Sequence, residues 1–394
     1  MFGFGHNRIY FDYASAPPVL KEAEKAMLEV SHLKGNPGAI HKEGVEAKAA
    51  LEKAREDIAR ILGVRSRELL FTSGLTESNN LAIVGYAHHL ERVRRTLKDT
   101  HWLVSAIEHS SVLACFAEVE RLGGDVTYIE TDARGVILPD AVAAKLRKET
   151  VFVSVGWANN EIGVVQPLRD IAAVLRIHEK EHGTDVIFHT DAGQAPLYLP
   201  TSVHSLAVDL MSIGSNKLYG PHGVGALHLS NRTQLAPVLF GGKQERGLRA
   251  GTENVALAAG FAAAFSIVAK ERGFESKRLG AIRDTFAEEL LRGIPGLVVN
   301  GDVKLALPHM LNVSIPDISG EYVTLALDHA GIAVSTKSAC REGEESVSHV
   351  VAALGGDTWR AKNTLRFSLG RETREDGARR AGEVLVRILK KGKS

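Results

Sequence analysis

Val208-Asp209-Leu210-Met211-Ser212-Ile213-Gly214-Ser215-Asn216-Lys217-Leu218-Tyr219-Gly220-Pro221 decides the fold. An apolar run of strand length gives way to small polar residues, then to a lysine, then to a Gly-Pro turn. Upstream, Val186-Ile187-Phe188-His189 reads as a second buried strand that runs into Asp191, with Gln194 three residues on. A lone lysine after a strand is ordinarily a surface residue. A lysine and an aspartate at the ends of two such strands are a different matter, and the segments around them follow the same pattern.

From about residue 20 to 230 helical and strand-like segments alternate. Lys21 to Lys34 and Glu43 to Leu62 have helical periodicity. Glu68–Phe71, Trp102–Val104, Val126–Ile129, Val151–Val155, Val186–Phe188 and Val224–Leu229 are short apolar runs with helical stretches between them. Strands this apolar, alternating with helices, predict an α/β fold: a mostly parallel sheet covered on both faces. Beyond Asn254 the pattern changes. Ala256–Arg272 and Lys277–Arg292 read as two long helices. Leu311–Ile315, a helix from Glu321 to His329, Thr364–Ser368 and a helix from Glu372 to Leu389 complete a smaller α+β lobe. The expected division is a large domain over 16–255 and a small domain over 256–394, the latter including residues 1–15.

Bulk properties narrow the function. The 394 residues are 44% hydrophobic and 24% charged with a net charge of +1, an ordinary globular profile without the basic excess that nucleic acid or an anionic membrane calls for. No apolar run approaches the roughly 20 residues of a membrane span. Met1–His6 lacks a basic region followed by an apolar stretch, so no secretory signal is expected and the cytoplasm is the expected compartment. Two cysteines, Cys115 and Cys340, make neither a disulfide framework nor a zinc site, and no metal is expected.

Several polar segments each stand just past a strand, where ligands of open α/β sheets bind. Phe71-Thr72-Ser73-Gly74-Leu75-Thr76-Glu77-Ser78-Asn79-Asn80 passes through a glycine turn into a helix, and reads as an anion site or as a plain N-cap. His109 follows the Trp102 strand and is placed to lie on a ring, to move protons or to serve structure. Asn160 follows the Val151 strand. With Asp191, Gln194 and Lys217 these converge on one crevice. Pyridoxal 5'-phosphate (PLP) fits such a set, since it needs a lysine for its Schiff base and a carboxylate on its pyridine nitrogen. Gly241–Thr252 is glycine-rich and resembles a weak phosphate loop. Arg366 is set to pair with a substrate carboxylate or with a structural partner. Cys340, beside Lys337 and Arg341 and followed by polar or small residues, has the setting of a reactive thiol, whereas Cys115 lies among Val112, Leu113 and Phe116 and reads as packing.

Taken in order, these segments resemble the cysteine desulfurases of the class V aminotransferase group, on the fold-type I PLP-dependent transferase architecture. The likeness runs from Tyr10-Phe11-Asp12 to Leu365–Arg371. Its most specific pieces are Gly35-Asn36-Pro37 with His41 and Gly44, the Phe71–Asn80 segment, Ala158–Gly163, Asp191-Ala192-Gly193-Gln194, Gly241–Thr252 and Ser338-Ala339-Cys340. The resemblance implies that Lys217 holds PLP covalently, that Asp191 meets the pyridine nitrogen, that Gln194 meets the phenolic oxygen and that His109 stacks on the ring. It places Thr76, Leu75, Ser215 and Asn216 among the cofactor contacts, with Thr252 reaching in from a second subunit of a homodimer. Asn160, Arg366 and Asn36 would contact L-cysteine. Cys340, on a loop of the extended kind, would take the sulfur as a persulfide and pass it to a protein acceptor, for iron–sulfur cluster assembly or thiolation. Asn216, Leu75, Lys337 and Ala14-Ser15-Ala16-Pro17 depart from the family's usual residues, and the stretch after the last helix is short for a docking tail. A selenocysteine lyase or another class V enzyme, and a PLP-fold subunit acting only as scaffold, are the competing expectations.

Overall fold

The computed structural model describes residues 8–94, 96–336 and 347–391. The strands are β1 (Ile9–Tyr10), β2 (Leu69–Thr72), β3 (His101–Ser105), β4 (Asp125–Ile129), β5 (Thr150–Ser154), β6 (Ile187–Asp191), β7 (Leu210–Gly214), β8 (Gly225–Leu229), β9 (Val298–Val299), β10 (Met310–Ser314), β11 (Ile332–Ala333) and β12 (Thr364–Ser368). Helices α1 (Lys21–Ser31), α2 (Lys42–Leu62), α3 (Leu75–Arg94), α4 (Ser110–Arg121), α5 (Pro139–Lys145), α6 (Leu168–His182), α7 (Val203–Leu206) and α8 (Val255–Gly293) are interleaved with them. They are followed by α9 (Gly320–His329), α10 (His349–Ala353), α11 (Thr358–Lys362) and α12 (Glu375–Lys391).

Seven strands form the large sheet in the order β2-β8-β7-β6-β5-β3-β4. β7, β6, β5, β3 and β4 are parallel to one another, and β8 is antiparallel to both of its neighbours. Only β8 therefore runs against the rest. The apolar runs are continuous because both faces are covered. Leu69, Phe71, Leu103, Val153, Phe188, Met211 and Ile213 enter one core. Their neighbours Leu70, Trp102, Val104, Phe152, Ile187 and Leu210 enter another, on the opposite face, with Leu81, Val112 and Phe116 of α3 and α4.

The small sheet is antiparallel, in the order β12-β10-β9. β1 pairs in parallel with β11, through Ile9 and Ile332, which ties the start of the chain to this end of the molecule. Phe367 packs edge to face on both Phe11 and Phe286 there, and the latter two meet at a tilt, with ring centroids 5.1 to 6.4 Å apart.

The two helices expected over Ala256–Arg272 and Lys277–Arg292 are one helix of 39 residues. Gly273, between the two expected stretches, has open space where a side chain would stand, and the adjacent Phe274 is exposed. The helix therefore passes this point on its solvent side, and the glycine's weak helix propensity is overridden by packing on either side. Among the described residues, no helix is long and apolar enough to cross a membrane.

Candidate active site

Because six strands share one direction, the segments that leave the carboxyl ends of β2, β3, β5, β6 and β7 meet at one edge of the sheet. There they enclose a cavity of about 380 Å³. Its walls carry Leu75, Thr76, His109, Asn160, Asp191, Gln194, Asn216, Lys217 and Arg366, nine of the residues singled out in the sequence.

Lys217 closes a short turn after β7, and its Nζ donates to the carbonyls of Ala14 and Ser15 at 2.9 and 2.7 Å. The turn is held by backbone that few side chains tolerate. Tyr219 has φ 59°, with its ring buried against Tyr13 and its hydroxyl accepting from the Arg371 N–H at 3.1 Å. Asp191, the last residue of β6, is 8% exposed. One oxygen accepts from the Gly193 N–H at 2.9 Å and the other from Asn79 Nδ2 at 2.7 Å. Gln194 donates through Nε2 to Ala14 O at 2.9 Å, while its buried Oε1 has no protein partner.

His109 caps α4: its Nδ1 accepts from the Ser111 N–H at 3.1 Å and lies 2.8 Å from the Ser111 hydroxyl. Burial holds this imidazole below its usual pKa; nearby Asp191 raises it and Lys217 lowers it further. Arg366 is 2% exposed. It donates to Asp12 at 2.8 Å, to the Ser15 hydroxyl at 2.6 Å and to the Asn160 carbonyl at 2.9 Å, and its Nε is left without a partner.

Four expected residues lie elsewhere. Ser215 does not reach the cavity, because it is fully buried inside the Lys217 turn, with its carbonyl accepting from the Leu218 and Gly220 amides. Asn36 and Thr252 are exposed and outside the cavity, within 3.4 Å of each other. Cys340 lies outside the described residues, as do Lys337 and Arg341. Cys115 is buried as expected; burial and Glu118 push its thiol up to about 12, and it donates to the Ser111 carbonyl.

Leu75, the bulky departure in the first turn of α3, is accommodated by a glycine opposite. A side chain on Gly193 would come within 2.7 Å of the Leu75 Cδ2. Two contributors were missed in the sequence. Asn79, fully buried in α3, bonds Asp191 only because that helix packs on β6, and no local pattern encodes the contact. Glu108, beside His109, is 4% exposed, lines the cavity and accepts from the Gly156 N–H at 2.5 Å. A single carboxylate between Ile107 and His109 carried no such signal.

The residues fit PLP. A lysine, a doubly fixed carboxylate, an imidazole and a helix N-terminus share one cavity, and the orphaned Gln194 oxygen and Arg366 Nε are polar atoms that a polar guest would satisfy. A crevice of this kind, at the carboxyl edge of a parallel sheet with a lysine on its floor, defines a cofactor-dependent α/β enzyme. The chain belongs to the Aminotransferase class-V family, whose profile matches residues 9–380. It is 40% identical to the cysteine desulfurase IscS of Dictyoglomus turgidum, over 97% of this chain and 95% of that protein. It is 38% identical to cysteine desulfurase IscS 1 of Archaeoglobus fulgidus, over 98% of each. Among solved structures it is similar to a NifS-like protein, with a TM-score of 0.89 and 32% identity over 98% of this chain and all of that one. It is also similar to SspA in complex with cysteine, with a TM-score of 0.78 and 33% identity over 92% and 99% of the two chains.

Glu108 gives a pH test of this geometry. Burial raises its carboxyl to about 8, with Gly156 opposing and the charge of Asp191 adding to the rise. The unfolded chain ionises this group near 4.5, so between about 4.5 and 8 the unfolded state binds fewer protons and stability falls as pH rises. Gln keeps the acceptor for Gly156 and has no proton to lose. Glu108→Gln is expected to raise the thermal midpoint relative to wild type at pH 8 by more than at pH 5. An equal difference at the two pH values would mean that the folded carboxyl is ionised throughout.

Proposed function

We propose that this chain is a PLP-dependent cysteine desulfurase that converts L-cysteine to L-alanine and leaves the sulfur as a persulfide on Cys340. The observation that carries the reading is the meeting of Lys217, Asp191, His109 and Arg366 in one cavity, in a chain alike over nearly its full length to proteins named cysteine desulfurase.

When bound, PLP supplies the electron sink for the substrate's Cα–H bond. The protein residues divide the remaining work. Lys217 would anchor the cofactor, and its amine would carry the Cα proton. Asp191, fixed by Asn79 and Gly193, would keep a proton on the pyridine nitrogen. His109, largely neutral at pH 7, would stack on the ring. The first turn of α3 with Thr76, together with Asn216, would receive the phosphate. Arg366 takes the substrate carboxylate, helped by Asn160. The Cys340 thiolate gives its electron pair to the substrate sulfur. A sulfur–sulfur bond forms as the carbon–sulfur bond breaks, and that bonding pair, once protonated, completes the methyl group of alanine.

The homodimer belongs to the same reading. Asn36 and Thr252 stand outside the cavity of their own chain. Ile40, 99% exposed, and Phe240, 73% exposed, adjoin these two segments in the sequence and form apolar surface that a second copy would cover. Thr252 would then complete the phosphate site of the neighbouring subunit. A protein acceptor for the persulfide, in iron–sulfur assembly or thiolation, and a reducing cytoplasmic setting complete the proposal.

Three outcomes test it. Lys217→Ala is expected to lose both alanine production and borohydride-stable PLP attachment while keeping its far-UV circular dichroism. Asp191→Asn is expected to bind PLP yet turn over at least about a hundredfold more slowly; wild-type rates at saturating PLP would remove Asp191 from its role. Sedimentation equilibrium is expected to give a dimer. A fully active monomer would refute the shared site.

A further inference from the structure

Glu77 and Arg249 form an ion pair at the end of the cavity where α3 begins. Glu77 is in the first turn of that helix and lines the cavity together with Gly74, Leu75 and Thr76. Its Oε1 accepts from Arg249 Nε at 2.9 Å. Its Oε2 accepts from the Ser73 N–H at 2.7 Å and lies 3.4 Å from an outer nitrogen of the same guanidinium. Burial works to raise the Glu77 carboxyl, but the bonds from Arg249 and Ser73 outweigh it and hold the group below its ordinary pKa. Glu77 is therefore a fixed negative charge.

That charge is in an awkward place. A helix start attracts an anion through its free N–H groups and dipole. A carboxylate in the same turn repels a phosphate, and Glu77 also takes the amide of Ser73 just before the helix. Arg249 cancels the charge, and it does so from the Gly241–Thr252 loop. A second ion pair of that loop fixes it to the same structural unit: Glu245 accepts two bonds from Arg55, at 2.6 and 2.7 Å, and one from the Phe71 N–H of β2 at 2.9 Å. The loop that carries Thr252 is thus tied by Arg249 to α3 and by Glu245 to β2 and α2.

We propose that Arg249 is a positioning residue for the phosphate end of the cofactor: it neutralises Glu77 so that the first turn of α3 accepts a phosphate. The proposal rests on the PLP reading and deepens it. It also makes binding of the phosphate depend on a loop that faces the expected subunit interface.

The test measures equilibrium binding to PLP-free protein, by cofactor absorbance, for PLP and for pyridoxal, which lacks the phosphate. Arg249→Gln is expected to weaken PLP on the order of tenfold through the uncompensated charge and to leave pyridoxal unchanged. Glu77→Gln alone is expected to bind PLP at least as tightly as wild type, since its amide oxygen still accepts from Ser73. The double variant Glu77→Gln/Arg249→Gln is expected to regain near wild-type PLP affinity. Unchanged PLP binding in Arg249→Gln, equal loss for the two ligands, or a double variant no better than Arg249→Gln would overturn the proposal and leave the PLP reading standing. Wild-type protein that binds no PLP would overturn both.

Discussion

Six of the seven strands in the large sheet run in the same direction, and the site depends on this constraint more than on any single contact. Parallel strands deliver their carboxyl ends to one edge. Segments far apart in the chain, after β2, β3, β5, β6 and β7, are therefore neighbours in space. The sheet tolerates such an arrangement only when both faces are covered, and the alternation of residues between two cores shows how that is met. The one reversed strand, β8, lies between β2 and β7 and returns the chain from the Lys217 turn along the sheet.

Within the cavity the same chemical group is put to three uses by its surroundings. Asp191 is fixed by two donors and lines the cavity. Glu108, buried and raised to about 8, is kept largely protonated at neutral pH. Glu77 is held ionised by Arg249 and the Ser73 amide. Three carboxyl groups in a small volume would repel one another if all were charged and unpaired. Burial of one and pairing of another lessen that repulsion around Asp191.

Much of this was legible in the sequence for a physical reason. Short β-branched runs that end in polar residues identify strand ends, and strand ends identify the crevice. Lys217, Asp191 and His109 could be placed together on that basis, whereas Arg366, in the middle of a strand of the small sheet, joined them only through the family resemblance. What the sequence hid were contacts between distant segments. Asn79 on Asp191, Glu108 on Gly156 and Arg249 on Glu77 are set by the packing of elements, and no local pattern encodes them. Ser215, next to Lys217, is buried inside the turn and does not line the cavity, a difference in direction that the sequence does not show. The division of α8 into two helices failed because a glycine on the solvent side of a long, well-packed helix does not interrupt it.

The central claim is that cysteine sulfur passes to one particular thiol of this chain. The most direct measurement is the mass of the intact protein after exposure to L-cysteine, followed by peptide mapping without reductant. A single added sulfur on the Cys340 peptide, absent when Lys217 is replaced, is the result expected. Sulfur on the buried Cys115, whose thiol is raised to about 12, or alanine formed at the full rate by a Cys340→Ala variant, would contradict the account.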